Sequence, residues 1–213
     1  MYTENDMVLV GAGGHAKVVL DVLSQLNDIS VIGILDKYET GKVLGEWEII
    51  GNDELLSDLY TNGLRKVFIS IGDNAVRSKL YTYCVSLGYT SIPVISRRAS
   101  VSKWSSIDQG AIIMGGAIIQ PNVQIGENSI INTGAVIDHD SFVGSHCHIA
   151  PGVHMAGNVT VGKESFIGIG SSVKDGVKIG AGCVLGAGSI VVSNIPDYSL
   201  AYGSPAKVIR TLD

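Results

Sequence analysis

Hydrophobic positions along this chain follow two different periods, and the change falls near Ser96-Arg97-Arg98. Before it, short apolar runs alternate with stretches of helical spacing. The run at 7–10 (MVLV) predicts a buried strand, and Val18, Val19, Val22, Leu23 and Leu26 then recur as one face of a helix. Residues 31–36 (VIGILD) read as a second strand and 53–60 as a helix. A strand at 66–72, a helix at 74–88 and a last strand at 89–95 (YTSIPVI) follow. Strand alternating with helix predicts a small Rossmann-like parallel α/β sheet.

After Arg98 a six-residue period takes over. Stepping by six from Val101 through Ile107, Ile113 and onward to Val191, every position is aliphatic or Met. Four residues after each, the chain places something small or β-branched, such as Ala111, Ala117, Val123, Cys147, Cys183 and Ser189. This is a hexapeptide repeat, and it predicts a parallel β-helix. Each short strand turns one large residue inward, three strands close a coil, and stacked coils bury a continuous core. The reading divides the chain into an α/β domain (1–96), a β-helix (97–195) and a C-terminal tail (196–213).

Composition agrees with such a fold. The 27 Gly and only 6% aromatic residues suit many tight turns and small packed side chains. The net charge of −5 gives no support for nucleic-acid binding. Three scattered cysteines, Cys84, Cys147 and Cys183, form neither a disulfide framework nor a zinc spacing, and the last two fall on the small-residue register. No apolar run is long enough to span a membrane and no signal peptide precedes the first strand, so a cytoplasmic protein without membrane insertion is expected.

Two places carry chemistry. In GAGGHA, Gly11-x-Gly13-x-x-Ala16 satisfies the dinucleotide fingerprint, and Asp36 falls about where an acidic residue would hold a ribose. Read alone this predicts NAD. The α/β part ends by about residue 95, too short for the usual doubly wound sheet, and nothing beyond it resembles a hydride-transfer domain, so NAD is not expected. Either way, the glycines allow close backbone approach and the helix start after Gly14 favours anionic phosphate. Asp73 and Asn74 suit a helix cap; Arg77 reads either as a solvated helix residue or as a phosphate contact.

The second place is Asp138-His139-Asp140, three ionisable groups in a sparsely charged repeat. His139 lies two residues after the inward Ile137, so it sits at a turn and reaches outward. An adjacent carboxylate can orient the imidazole, fix its tautomer and raise its basicity, which describes a general base. Either Asp138 or Asp140 could do so. His146, His148 and His154 are bunched with His139 within sixteen residues and lack a metal-ligand spacing, so no metal is expected; His146 and His154 read as surface or interface residues.

Taken together, the repeats, GAGGHAKVVLD, IGDN followed by Arg77, VIDHD and the tail YGSPAKVIR resemble the nucleotide-sugar N-acetyltransferases grouped with the sialic-acid O-acetyltransferases, which are left-handed β-helix acyltransferases. The left hand is implied by this resemblance alone. It also implies a homotrimer, with acetyl-CoA as co-substrate bound between neighbouring β-helices. A UDP-, dTDP- or GDP-linked 4-amino-deoxy sugar destined for surface glycans would be held by the N-terminal domain.

Carried over residue by residue, the resemblance makes His139 the base and Asp140 its helper. Gly13, Gly14, His15, Asp36, Lys37 and Gly72 would contact the nucleotide sugar, and Asn132 would support the substrate or simply make a turn. His148, Gly157 (through its amide), Ile169, Gly203 and Lys207 would contact acetyl-CoA. A member of that family carries glutamates where this chain has Asp138 and Asp140, which leaves the helper open. The alternatives are O-acetylation of sialic acid or another sugar, and a non-catalytic trimeric scaffold that senses a nucleotide.

Overall fold

In the first unit, Met1–Val94, the apolar run at 7–10 forms the middle of β1 (Asp6–Val10), four of whose residues are buried. The computed structural model describes residues 2–37 and 40–212. After β1, the helix α1 (Gly14–Leu23) buries Ala16, Val19, Leu20, Val22 and Leu23, the face set by its apolar spacing. The strands β2 (Ser30–Leu35), β3 (Val43–Leu44), β4 (Trp47–Gly51) and β5 (Lys66–Ile69) then assemble in the order β3-β4-β2-β1-β5, with β1, β2, β4 and β5 parallel. Helices α2 (Leu56–Thr61) and α3 (Asn74–Ser86) complete the unit. The chain leaves β1 toward β2 on one side and returns to β5 on the other. The crevice at the carboxyl end of β1 is therefore a topological switch point, where ligands bind in open α/β sheets.

Three local readings need correction. The segment 53–60 is a 3₁₀ turn at Asp53–Leu55 followed by α2. The hairpin β3–β4, antiparallel within itself, has no counterpart in the sequence reading. The segment 89–95 is not a strand of the α/β sheet. Thr90 makes one isolated bridge to Lys66, and Val94–Ile95 instead begins a β-helix sheet. Pro93 explains the break, because it has no N–H for a ladder bond and restricts the residue before it.

The second unit, Ile95–Asp213, is the β-helix. Two-residue strands such as Ile118–Ile119, Val136–Ile137 and His154–Met155 stack in parallel register, each partner one coil of 136 − 118 = 18 residues away. Together with the two longer strands of the tail they form three sheets of six, five and eight strands. The inward members of the six-residue series from Ile113 to Val191 are buried in one continuous cluster. The tail adds Ser199–Gly203 beside Val184–Leu185 and folds back as the antiparallel strand Ala206–Thr211.

Each coil turns three corners, and each corner uses one left-handed residue at a fixed place in the repeat. Gly110, Gly116, Asn122, Asn128, Gly134, Asp140, His146 and Gly152 all have φ between 54° and 74°, and the series runs on to Gly188. Glycine and asparagine adopt this region most readily. Asp140, His146 and Glu164 are the members of this corner series that are neither.

The small-residue register does more than fit the corner. Backbone N–H groups there are satisfied at several positions by the carbonyl three residues back, as for Ala135 and Val153, and at others by a serine hydroxyl one coil below. Ser129 Oγ accepts from Cys147 N–H at 3.0 Å and donates to Gly144 O at 2.9 Å. Ser141, Ser165 and Ser171 make the same rung to Val159, Cys183 and Ser189. These buried hydroxyls spend both roles on the backbone, which leaves no unpaired donor in an apolar interior. Cys147 and Cys183 are fully buried in the same register, and burial pushes the Cys183 thiol above its ordinary range. In the first unit burial pushes the Cys84 thiol up to about 12.

Candidate active site

His139 and Asp140 occupy one corner between the strands Val136–Ile137 and Phe142–Val143. Both side chains are about half exposed, and His139 Nδ1 lies 2.8 Å from Asp140 Oδ2. Asp138 turns the other way: its Oδ1 accepts from the backbone N–H of His139 at 2.7 Å. The carboxylate on the imidazole is therefore that of Asp140. The Asp140 backbone is left-handed, with φ 59°.

The contact with Asp140 raises the His139 pKa above its ordinary value, helped by the charges of Asp138, Asp140 and Asp175. Asp140 is held below the usual carboxylate range by a hydrogen bond from Asn122, 2.9 Å from its Oδ1, and then by His139. Asn122 is absent from the sequence reading. Its signal was available, since positions 18 apart in a β-helix are stacked neighbours.

Gly157 lies one coil above His139. A Cβ placed on it would stand 2.6 Å from His139 Cε1 and 2.7 Å from Nε2. The imidazole thus lies against the bare Gly157 backbone. Gly157→Ala is expected to displace the ring and, with His139 read as a general base, to lower kcat by about tenfold or more. The unfolding midpoint should stay near that of the unmodified protein. Steady-state kinetics with a thermal melt tests this, and an unchanged kcat would mean the ring does not need this seat.

The remaining β-helix positions fall elsewhere. Asn132 and His148 form a pair, with Asn132 Nδ2 3.1 Å from His148 Nε2. His148 is buried and meets Phe166, one coil above, edge to face at 5.1 Å. Asn132 Oδ1 also accepts from Thr133 N–H, so this residue makes its turn as well. Ile169 is 56% exposed at the corner that Asn132 also approaches, between the sheets of Phe166–Ile167 and Ser172–Val173. Gly203 and Lys207 face each other's neighbours across the C-terminal hairpin. One chain therefore gathers His139, Asp140 and Gly157 at one corner and does not bring Asn132, His148 and Ile169 to that corner. His146 is half-buried against Asn128 Nδ2 at 2.8 Å, and His154 is exposed on a sheet face. Among the described residues no group of three or more His, Cys, Asp or Glu is arranged to hold a metal ion.

In the first unit the crevice holds a pocket of about 300 Å³ walled by Gly11, Leu35, Asp36, Lys37 and Ile71. A second of about 420 Å³ lies against Gly13, Gly14, Lys17, Asp36 and Lys42. Asp36 borders both, and its Oδ2 accepts from Ala12 N–H at 2.8 Å, which ties the glycine loop to the end of β2. Gly11 is required by the chain itself, with φ 103° and Ile71 2.7 Å from where a Cβ would stand. Gly13, Gly14 and Gly72 are different: a Cβ on any of them meets nothing within 4 Å. His15 follows at the second position of α1, half-buried.

Asp73 caps α3 by accepting from Val76 N–H at 2.9 Å. Arg77 is neither solvated nor offered to a ligand on the observed contacts. It is 1% exposed, and its guanidinium donates to the carbonyls of Ile71 and Gly72, both at 3.1 Å, and to Asn74 Oδ1 at 2.8 Å. No described helix is long and apolar enough to cross a membrane.

Comparison with known proteins narrows the class. Residues 105–139 and 158–193 match the bacterial transferase hexapeptide family of six repeats, which puts the β-helix among transferases. Residues 6–84 match the PglD N-terminal domain. A variant of perosamine N-acetyltransferase from Caulobacter crescentus, solved with CoA and GDP-perosamine, superposes with a TM-score of 0.93 at 38% identity, over 97% of each chain. The acetyltransferase domain of PglB from Neisseria gonorrhoeae, solved with acetyl coenzyme A, gives 0.92 at 33% identity, over 97% of this chain and all of that one. UDP-N-acetylbacillosamine N-acetyltransferase of Bacillus subtilis is 36% identical over 112 residues, 51% of each protein. The chain spans about half or less of the curated relatives that it matches. It belongs to the PglD-type hexapeptide-repeat nucleotide-sugar N-acetyltransferases.

Proposed function

We propose that this protein transfers the acetyl group of acetyl-CoA to the amine of a nucleotide-linked 4-amino-deoxy sugar, in the cytoplasm, for surface glycan synthesis. The observation that carries this reading is the exposed His139–Asp140 contact of 2.8 Å at a β-helix corner. With Nδ1 engaged by the carboxylate, Nε2 is the nitrogen that takes the proton. The sugar amine attacks the thioester carbonyl while His139 Nε2 removes its proton. The tetrahedral oxyanion is stabilised by the Gly157 amide. It collapses by breaking the C–S bond, and the imidazolium returns its proton to the leaving CoA sulfur.

The crevice of the first unit takes the nucleotide. Neither backbone angle nor packing within the chain demands glycine at 13, 14 or 72, and a closely approaching ligand does. His15, Asp36 and Lys37 complete that subsite. Acetyl-CoA is held by His148, Ile169, Gly203 and Lys207, with Asn132 supporting the site through His148. Asn132, His148 and Ile169 lie away from the His139 corner within one chain, so a neighbouring copy in a homotrimer joins them into one site.

Thiol release from acetyl-CoA tests the reading with UDP-, dTDP- and GDP-linked 4-amino sugars and with sialic acid. Turnover is expected with a nucleotide-linked amino sugar. Turnover with sialic acid alone would replace the reading with O-acetylation, and none with any acceptor would sink it.

A further inference from the structure

The Asp140 carboxylate is exposed, and a half-solvated aspartate ordinarily samples several rotamers. Here both of its oxygens are engaged. Oδ2 meets His139 Nδ1 at 2.8 Å and Oδ1 accepts from Asn122 Nδ2 at 2.9 Å. Asn122 stands one coil below, at the same corner and in the same left-handed conformation, φ 61° against 59° for Asp140. Two side chains leaving identical stacked turns run parallel about one strand spacing apart, ~4.8 Å, so an amide at 122 is delivered to a carboxylate at 140. The same stacking joins Asn128 to His146 at another corner.

We infer that Asn122 is a positioning residue for acetyl transfer, fixing the Asp140 carboxylate so that Oδ2 stays on His139 Nδ1 and the lone pair stays on Nε2. The inference rests on the reading of His139 as the base. Asn122 touches neither the imidazole nor any reacting atom in this arrangement and acts through Asp140. Its donor also favours the ionised carboxylate, in keeping with the depressed Asp140 pKa.

Asn122→Gly tests this in the full chain. Glycine adopts a positive φ freely, and Gly176, three coils above at the same corner, shows that this corner accepts it. The change therefore removes the amide and leaves the turn. Two measurements are made beside His139→Ala: kinetics across pH, and an NMR titration of the His139 imidazole, which needs no substrate. The expected result is a kcat lower by about tenfold with KM for acetyl-CoA little changed. The His139 titration and the acid limb of the kcat/KM profile should both move to lower pH, because the freed carboxylate supports the imidazolium less.

A His139 titration that does not move overturns the inference, whatever happens to turnover. So does an unmoved kcat in a protein whose His139→Ala variant is inactive. Turnover retained by His139→Ala instead refutes the base itself, a separate result that the titration does not share.

Discussion

His139→Ala should lose roughly 10² to 10⁴ of the turnover number, the range that a positioned general base supplies, while its unfolding midpoint stays in place. The side chain projects from a corner and is half exposed, whereas the core beneath it is made by Ile137, which faces inward on schedule. Fold and chemistry are thus separable at this position. The unmodified enzyme should show the matching pH signature. Asp140 raises the His139 pKa, and the working base is the neutral ring. Activity should therefore be low at acid pH and rise through a midpoint above the ordinary histidine value. Single-turnover kinetics across pH, with a thermal melt of the variant, checks both points. Full activity in the variant would remove His139 from the mechanism.

Arg77→Met is expected to destabilise the first unit by roughly 2–4 kcal/mol, because three hydrogen bonds vanish and the Ile71 and Gly72 carbonyls lose a buried partner. Methionine keeps much of the aliphatic stem, so the loss reports the guanidinium rather than a cavity. Arg77→Lys should recover only part of it, since a compact ammonium cannot span two carbonyls and an amide in one plane. The affected loop includes Gly72, so nucleotide affinity should weaken together with stability. Urea denaturation and thermal shift with UDP, dTDP and GDP measure the two effects; an unchanged denaturation midpoint would contradict the structural role of Arg77.

The β-helix was legible because its signal is long-ranged and redundant: one inward aliphatic every six residues leaves no freedom in register. The corner dyad was legible as a cluster of charge, but the choice between Asp138 and Asp140 was not. That choice depends on which carboxylate meets the ring and which meets the backbone N–H, and hydrophobic spacing carries no trace of side-chain direction at a turn. Asn122 and Phe166, and the seat that Gly157 gives the His139 ring, are each one coil from the residue they serve, so they become visible only when the chain is written in rows of eighteen. The α/β unit was read less well at its edges. The strand Val43–Leu44 is only two residues long and is largely exposed, and Trp47–Gly51 buries only Ile49 and Gly51, so neither shows an apolar run. Arg77 reads from sequence as a solvated residue or a phosphate contact because a buried cation that serves main-chain carbonyls has no sequence pattern of its own.

The serine rungs and paired corners have a bearing on how such a chain can change length. From Ser100 to Val191 each ladder partner stands eighteen residues away, as Ile118 does from Val136. Inserting a whole coil adds a storey and disturbs nothing. Inserting one repeat of six turns every later side chain to a different face. Inserting a single residue drives each later left-handed corner into the position of the small buried residue that follows it. Growth or loss is therefore quantised. The storeys holding Asn122, His139 and Gly157 stay together as a block, while the ends of the stack move in steps of one strand spacing, ~4.8 Å.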